Sequence, residues 1–195
     1  MKQLQETYRE SKENGLETDI TDFDIRGNPT QSKKTGGCGC SAKYEYRYDK
    51  NGKKLELAIK NDQRLFPFTY KYDTSGRIVQ ETVDTKMLKL NSDNEVMQDK
   101  FFYKYDASGN RIQEDYYFEQ EHRYRILYRY NGNHLLIGEE YFYGDDKKPT
   151  TQTSYHYTAF DAKGNWLRRV GDVKDFGPPR QEIPEPVVIR KITYY

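Results

Sequence analysis

Aromatic and polar residues alternate in short runs along this chain. Tyr44, Tyr46 and Tyr48 are separated by Glu45 and Arg47, Phe68, Tyr70 and Tyr72 by Thr69 and Lys71, and the alternation recurs at Phe101, Tyr103 and Tyr105. A period of two predicts β-strands. The runs lead into one recurrent phrase, an aromatic residue, Asp, two small or polar residues and Gly. It occurs intact five times, as Phe23-Asp24-Ile25-Arg26-Gly27, Tyr48-Asp49-Lys50-Asn51-Gly52, Tyr72-Asp73-Thr74-Ser75-Gly76, Tyr105-Asp106-Ala107-Ser108-Gly109 and Phe160-Asp161-Ala162-Lys163-Gly164. Tyr130-Asn131-Gly132 reads as a sixth, shortened copy. Each phrase predicts a hairpin turn. The Asp carboxylate accepts backbone N–H bonds across a type I turn, and the Gly supplies the left-handed residue that closes it with a bulge.

A three-residue turn of this kind sets an expected register. Asp73 faces Arg77, Tyr72 faces Ile78, Lys71 faces Val79 and Tyr70 faces Gln80. The same rule places Arg47, Lys71 and Lys104 opposite Leu55, Val79 and Ile112, and Tyr46, Tyr70 and Tyr103 opposite Glu56, Gln80 and Gln113. Both faces then come out mixed, which disfavours a sandwich with one apolar side. The expectation is an all-β fold of antiparallel hairpin repeats in a curled, largely single-layer meander, open and not closed into a shell. Its stability would come from many cross-strand pairs, with the terminal units fraying first.

Composition supports a thin fold. Hydrophobic residues are 34% and charged residues 32% of the 195, a balance that suggests disorder until the 19 Tyr are counted. Tyrosine buries a large ring and keeps a polar tip, so a Tyr-rich sheet orders without a thick aliphatic core. The formal net charge of +1 offers no electrostatic footprint for nucleic acid. No apolar run approaches the roughly 20 residues that a membrane helix needs, and the polar start at Met1 carries no targeting signal.

The phrases resemble the hallmark of the YD-repeat, or Rhs-repeat, family: Tyr-Asp, two variable residues, then Gly-Arg or Gly-Asn and a hydrophobic residue. Tyr72-Asp73-Thr74-Ser75-Gly76-Arg77-Ile78 and Tyr105-Asp106-Ala107-Ser108-Gly109-Asn110 carry the likeness. Phe160-Asp161-Ala162-Lys163-Gly164-Asn165-Trp166 and the ending Ile189–Tyr195 look like the C-terminal unit of short bacterial members. The resemblance covers most of residues 20–195 and implies a bacterial surface or secreted protein. Long members spiral into hollow shells that enclose a toxin. A chain of six or seven hairpins with no toxin domain after Tyr195 is expected not to close one.

Residues 1–43 read as degenerate entry repeats, with a hairpin around Asn14-Gly15 and a Gly-rich loop Ser32–Ser41, and 44–195 as the hairpin repeat domain, the two forming one continuous domain. The stretch Gly76 to Gly109 is long, with an extra turn at Asn91-Ser92-Asp93-Asn94, and Gly144–Pro149 and Gly177–Pro186 read as polar loops. Cys38 and Cys40 are too close to bridge, and no His stands near them to complete a metal set. The repeated Asp residues read as turn formers, because no segment supplies the alternating ligands of a calcium loop. His122, His134 and His156 fall at strand-like positions without a nucleophile beside them.

No catalytic, metal or cofactor site follows. The candidate binding surface is the aromatic set Tyr46, Tyr70, Tyr103, Tyr128 and Trp166, with a ladder of cations at Arg47, Lys71, Lys104 and Arg129. The expected function is a non-enzymatic structural or interaction protein of a bacterial cell surface or secretion system, binding a protein or glycan through its aromatic sheet face. Two alternatives stay open: a carbohydrate-binding or glycan-active protein with Trp166 stacking on sugar, and a fragment or partner of an Rhs-type toxin system.

Overall fold

The computed structural model describes residues 3–11, 15–36, 40–59, 64–66, 68–84, 98–177 and 186–194. Every strand among them belongs to one antiparallel sheet, and no helix occurs among the described residues. The strands in chain order are β1 (Gln3–Ser11), β2 (Gly15–Phe23), β3 (Pro29–Gly36), β4 (Cys40–Tyr48), β5 (Lys54–Ile59), β6 (Arg64–Phe66), β7 (Phe68–Tyr72) and β8 (Ile78–Asp84), continuing through β9 (Gln98–Tyr105), β10 (Arg111–Phe118), β11 (Glu121–Tyr130), β12 (Leu136–Tyr143), β13 (Thr151–Phe160), β14 (Trp166–Asp175) and β15 (Val187–Thr193). The reversal between β1 and β2 falls beside Gly15, where a hairpin was expected. The anticipated Ser32–Ser41 loop is mostly strand, since β3 runs to Gly36 and β4 starts at Cys40. Cys38 and the Asn91–Asn94 turn lie outside the described residues.

An open meander would leave β1 and β15 as its two edges. Instead these strands pair, from Gln3 opposite Thr193 to Arg9 opposite Val187. The sheet order runs β6-β5-β4-β3-β2-β1-β15-β14 and on down to β7, so its two ends are β6 and β7, which are one residue apart in sequence at Pro67. Fifteen strand segments thus make a nearly closed ring, with one seam where β7 passes β5. The single-layer, all-β expectation holds, and the open curl does not. Chain continuity from β6 into β7 brings the two ends of the sheet together, and the Tyr72 hydroxyl reaches across the seam to the Lys54 carbonyl at 3.5 Å.

The turns form as expected. In the Asp73 turn the Asp73 N–H donates to the Arg77 carbonyl at 2.9 Å, the Gly76 N–H to the Asp73 carbonyl at 3.0 Å, and the carboxylate accepts the N–H groups of Ser75 and Arg77, each at 2.9 Å. Gly76 has φ of 78°, in the left-handed region. Such backbone bonds are the largest influence holding the Asp24 and Asp73 carboxyls below the ordinary carboxylate range, and at Asp106 the Asn110 side-chain amide, donating at 2.8 Å, leads in the same direction. At Asp161, the Tyr194 hydroxyl is the largest influence, and the carboxyl is pulled to about 2. The Tyr130 copy is complete, not shortened. Asn131 takes the place of Asp, accepting from the N–H groups of Asn133 and Leu135, and His134, not Gly132, occupies the left-handed position at φ of 59°.

Beyond each turn the register departs from expectation. Tyr72 faces Ile78 as predicted, but Lys71 then faces Gln80 and Tyr70 faces Glu81, because Val79 is an extra residue in a β-bulge. The same slip sets Arg47 against Glu56 and Tyr46 against Leu57, and sets Lys104 against Gln113 and Tyr103 against Glu114. With a side-chain period of two, one inserted residue exchanges the faces of everything after it. The faces therefore segregate. The inner one carries Tyr46, Tyr70 and Tyr103 with Leu57, Glu81 and Glu114, and the outer one carries Arg47, Lys71 and Lys104 with Glu56, Gln80 and Gln113. Two of the bulge residues, Leu55 and Ile112, are left among the exposed apolar side chains.

Packing is thin. Among the described residues the buried apolar side chains are Val83, Phe142, Trp166 and Val188. Ring contacts carry cohesion between strands: on the inner face Phe101, Tyr116, Tyr124 and Tyr141 form a continuous run across four strands, with successive centroids 4.8, 5.1 and 5.4 Å apart. Each such pair contributes about 0.5–1.5 kcal/mol beyond area burial.

His134→Gly relieves a left-handed side chain but gives up the 3.0 Å contact of its Nδ1 with Asn110, and is expected to stabilise the protein by up to about 1 kcal/mol. Gly76→Val should cost about 1–2 kcal/mol through the backbone alone, since no atom lies within 4 Å of the added Cβ. Urea unfolding midpoints of the two variants check both signs. In Tyr194→Phe, the Asp161 carboxyl should titrate above about 2, closer to its ordinary value of 3.8, as read by carbon-13 NMR of the carboxyl.

Candidate functional site

The inner face encloses a recess of about 520 Å³ whose walls come from β2, β3, β4, β5, β7, β8, β9 and β10. Its aromatic lining is Tyr44, Tyr46, Phe68, Phe101 and Tyr103, and its charges are Asp19, Glu81, Asp99 and Glu114 with Lys34 and Lys54. A second hollow, about 560 Å³, opens among the turns at one rim, between Tyr48, Tyr72 and Tyr105 with Lys53 and Arg77. Lys54 stands in the wall of both.

Positions flanking each turn explain this lining. At the Asp73 and Asp106 turns the first and third residues before the Asp point inward, which yields Tyr72 and Tyr70, and Tyr105 and Tyr103. After the turn, the bulge makes the second and fifth residues past the left-handed position point inward. Those are Lys54 and Leu57, Ile78 and Glu81, Arg111 and Glu114, and Trp166 and Arg169. The charged lumen is thus encoded in a spacing of three, not two.

The Lys54 ammonium lies 5.2 Å from the Tyr46 ring, 5.0 Å from Phe68 and 5.4 Å from Tyr70, so rings from β4 and β7 enclose it at the seam. Burial lowers its affinity for a proton, and the Glu81 charge opposes that shift. Burial likewise holds the Glu81 carboxyl above its ordinary value of 4.5. Further round, Arg111 lies 5.0 Å over Tyr103 and 5.3 Å over Tyr128, and its guanidinium is 3.2 Å from Glu114. Glu114 also accepts from the hydroxyls of Tyr124 at 3.0 Å and Tyr128 at 3.3 Å. Burial is the largest influence raising the phenol pKa at Tyr70, Tyr103, Tyr124 and Tyr128, which keeps these rings neutral hydrogen-bond donors. The Tyr70 hydroxyl is buried with no partner among the described residues.

The predicted binding residues separate onto two sides. Tyr46, Tyr70, Tyr103 and Tyr128 face inward. Arg47, Lys71, Lys104 and Arg129 are exposed on the outside, where Arg47 pairs with Glu56. Trp166 is no exposed sugar platform. It is buried, with the Arg190 guanidinium 3.4 Å from its ring centroid and Arg169 at 5.2 Å. Lys54, Glu81, Arg111 and Glu114 were missed, because the expected register had no second bulge beyond the turn and so gave them no common face.

A second polar cluster lies outside the ring. His122 Nδ1 is 2.7 Å from Asp145, its Nε2 is 3.4 Å from Asp115 without hydrogen-bond geometry, and Tyr117 stacks on the imidazole at 4.7 Å. Asp115 is claimed by Arg125 at 2.7 Å and Gln113 at 2.5 Å, an arrangement that ties β10 to β11 and presents no nucleophile. Among the described residues no group of three or more His, Cys, Asp or Glu is placed to hold a metal ion.

The raised Glu81 pKa has a definite sign. The folded protein keeps this proton to higher pH than the unfolded chain, so the associated stability is present below the ordinary value and is lost as pH rises through the raised one. Glu81→Gln should remove that dependence. As pH rises above the ordinary value of 4.5, the wild-type urea midpoint should fall relative to the variant's.

No family model matches the chain, and no curated protein matches it. Among solved structures, a porin-like protein from Bacteroides uniformis superposes with a TM-score of 0.61 at 11% identity, over 98% of this chain and 96% of that one. At that identity the likeness concerns the fold, and the ring of antiparallel strands is what the two chains share.

Proposed function

We propose that this protein is a non-enzymatic binding barrel in which the inner aromatic face, not an exposed sheet surface, takes the ligand. The observation that carries the reading is the recess of about 520 Å³, walled by Tyr and Phe rings with carboxyl and amino groups between them. Concave sites lined by aromatic side chains and a few placed polar groups are the usual form of small-ligand sites. A bacterial envelope or secretion setting, implied by the YD-repeat resemblance, is retained as part of the proposal.

The outer surface supports a water-facing barrel over a lipid-embedded pore. A membrane barrel turns an apolar band about 25 Å tall toward lipid. Here the outward rows carry the exposed side chains Lys71, Lys104, Arg129, Arg168, Asp172 and Lys174. The porin likeness then extends to architecture and not to the solvent on either side of the wall. Among the described residues no helix is long and apolar enough to cross a membrane, a fact that has no bearing on a barrel of strands.

Nitrogen-15 NMR with a probe set of maltohexaose, xylohexaose and spermidine tests the reading. At least one probe should shift amides of β4, β5 and β7–β10, and Tyr103→Ala should abolish that response while Lys71→Ala/Lys104→Ala leaves it unchanged. Binding that followed the outward pair, or no response to any probe, would overturn it.

A further inference from the structure

Resting on that reading, we infer that the inner recess is a site for an organic polyamine, a flexible alkyl chain bearing two or more ammonium groups. Three observations converge on this class. First, the lining holds four carboxylates, Asp19, Glu81, Asp99 and Glu114, against two cations, Lys34 and Lys54, a difference of 4 − 2 = 2 negative charges. Including the charged neighbours of these groups leaves the formal balance unchanged, because Glu17 beside Lys34 and Arg111 beside Glu114 cancel, as do Glu6 beside Asp19 and its partner Arg190.

Second, the protein already demonstrates what these rings accept. The Lys54 side chain is an alkylammonium, and it sits within 5.0–5.4 Å of the centroids of Tyr46, Phe68 and Tyr70. Ring faces attract such cations electrostatically, more strongly where water is excluded. Tyr44, Phe101 and Tyr103 also line the recess, and Tyr103 carries a second side-chain cation, Arg111, at 5.0 Å from its ring.

Third, the carboxylates stand on opposite walls. Asp19 is on β2, where Ser32 donates to it at 3.2 Å, and Asp99 is on β9, where the Tyr116 hydroxyl donates at 2.6 Å. Burial and the neighbouring charges of Glu6 and Glu17 make the ionised form of Asp19 costly, a cost that an arriving cation relieves. Two separated anions with aromatic surface between them suit a chain with charges at intervals. A neutral sugar would leave both charges uncompensated, and an anion would be repelled.

Isothermal titration with spermidine, butylamine and maltohexaose tests the assignment on the full chain. Spermidine should bind at least ten-fold more tightly than butylamine, and should weaken by at least ten-fold in Asp19→Asn/Asp99→Asn, a nearly isosteric pair. Asp172→Asn on the outer face is the charge control and should leave binding unchanged, and unfolding midpoints identify any variant that fails to fold. Lys54→Met frees the ring cage and should tighten butylamine by at least three-fold even if the double variant is unstable.

Maltohexaose binding inside the ring without spermidine binding would overturn the polyamine class while leaving the inner site standing. Spermidine binding indifferent to Asp19→Asn/Asp99→Asn, or equal for butylamine and spermidine, would also overturn the class. Silence of all three probes would remove the inner site itself.

Discussion

A turn held by one carboxylate, followed by one surplus residue, governs where every strand-borne side chain of a hairpin points. Asp73 collects the N–H groups of Ser75 and Arg77, Gly76 closes the reversal in the left-handed region, and Val79 is then pushed out of the ladder. Without that bulge, Tyr70 would sit against Gln80, and aliphatic and basic residues would share a face. With it, phenols and buried charges collect inside while Lys, Gln and Thr collect outside. Because the phrase recurs, one local geometry is copied round the ring, and a thin sheet acquires two chemically distinct surfaces.

The inner surface then faces a problem that a hydrocarbon core does not. Burial of Lys54, Glu81, Arg111 and Glu114 is costly unless each finds a compensating partner. The phenols supply those partners twice over, through ring faces toward the cations and through hydroxyls toward the carboxylates. Arg111 lies over Tyr103 and Tyr128, while Glu114 accepts from Tyr124 and Tyr128. This dual use of one residue type explains how a chain with 34% hydrophobic residues and 19 tyrosines orders a large sheet without a thick aliphatic core.

Much of this was legible in the residue pattern. Alternation of Tyr with polar residues located the strands, and Asp-x-x-Gly located the turns with the correct closing pair. Two things were hidden. The bulge leaves no residue signature of its own, since Val79, Leu55 and Ile112 look like ordinary strand residues, so the charged lumen could not be assembled. Closure was hidden because neither Gln3–Ser11 nor Val187–Thr193 contains the Asp-x-x-Gly turn phrase, and the two meet only through long-range pairing. The Asn131 turn was misread for a related reason: Gly132 drew attention as the expected turn glycine, while His134 adopts the left-handed conformation without advertising it.

The pairing of β1 with β15 separates two kinds of discontinuity that coincide in most sheets. The covalent chain is interrupted where the hydrogen-bond ladder is whole, and the ladder is interrupted at β6 and β7, where the chain runs on. Each break is bridged by the other kind of connection. A circular permutant joining residue 195 to residue 1 and opening the chain between 66 and 68 would bring both breaks to one place. The ring would then be held at that point by the Lys54 ammonium among its aromatic neighbours and by the Tyr72 hydroxyl, two side-chain contacts in place of a backbone. Closure of this barrel is thus a property of its connectivity as much as of its residues, and reordering the same sequence would leave two sheet edges joined by side chains alone.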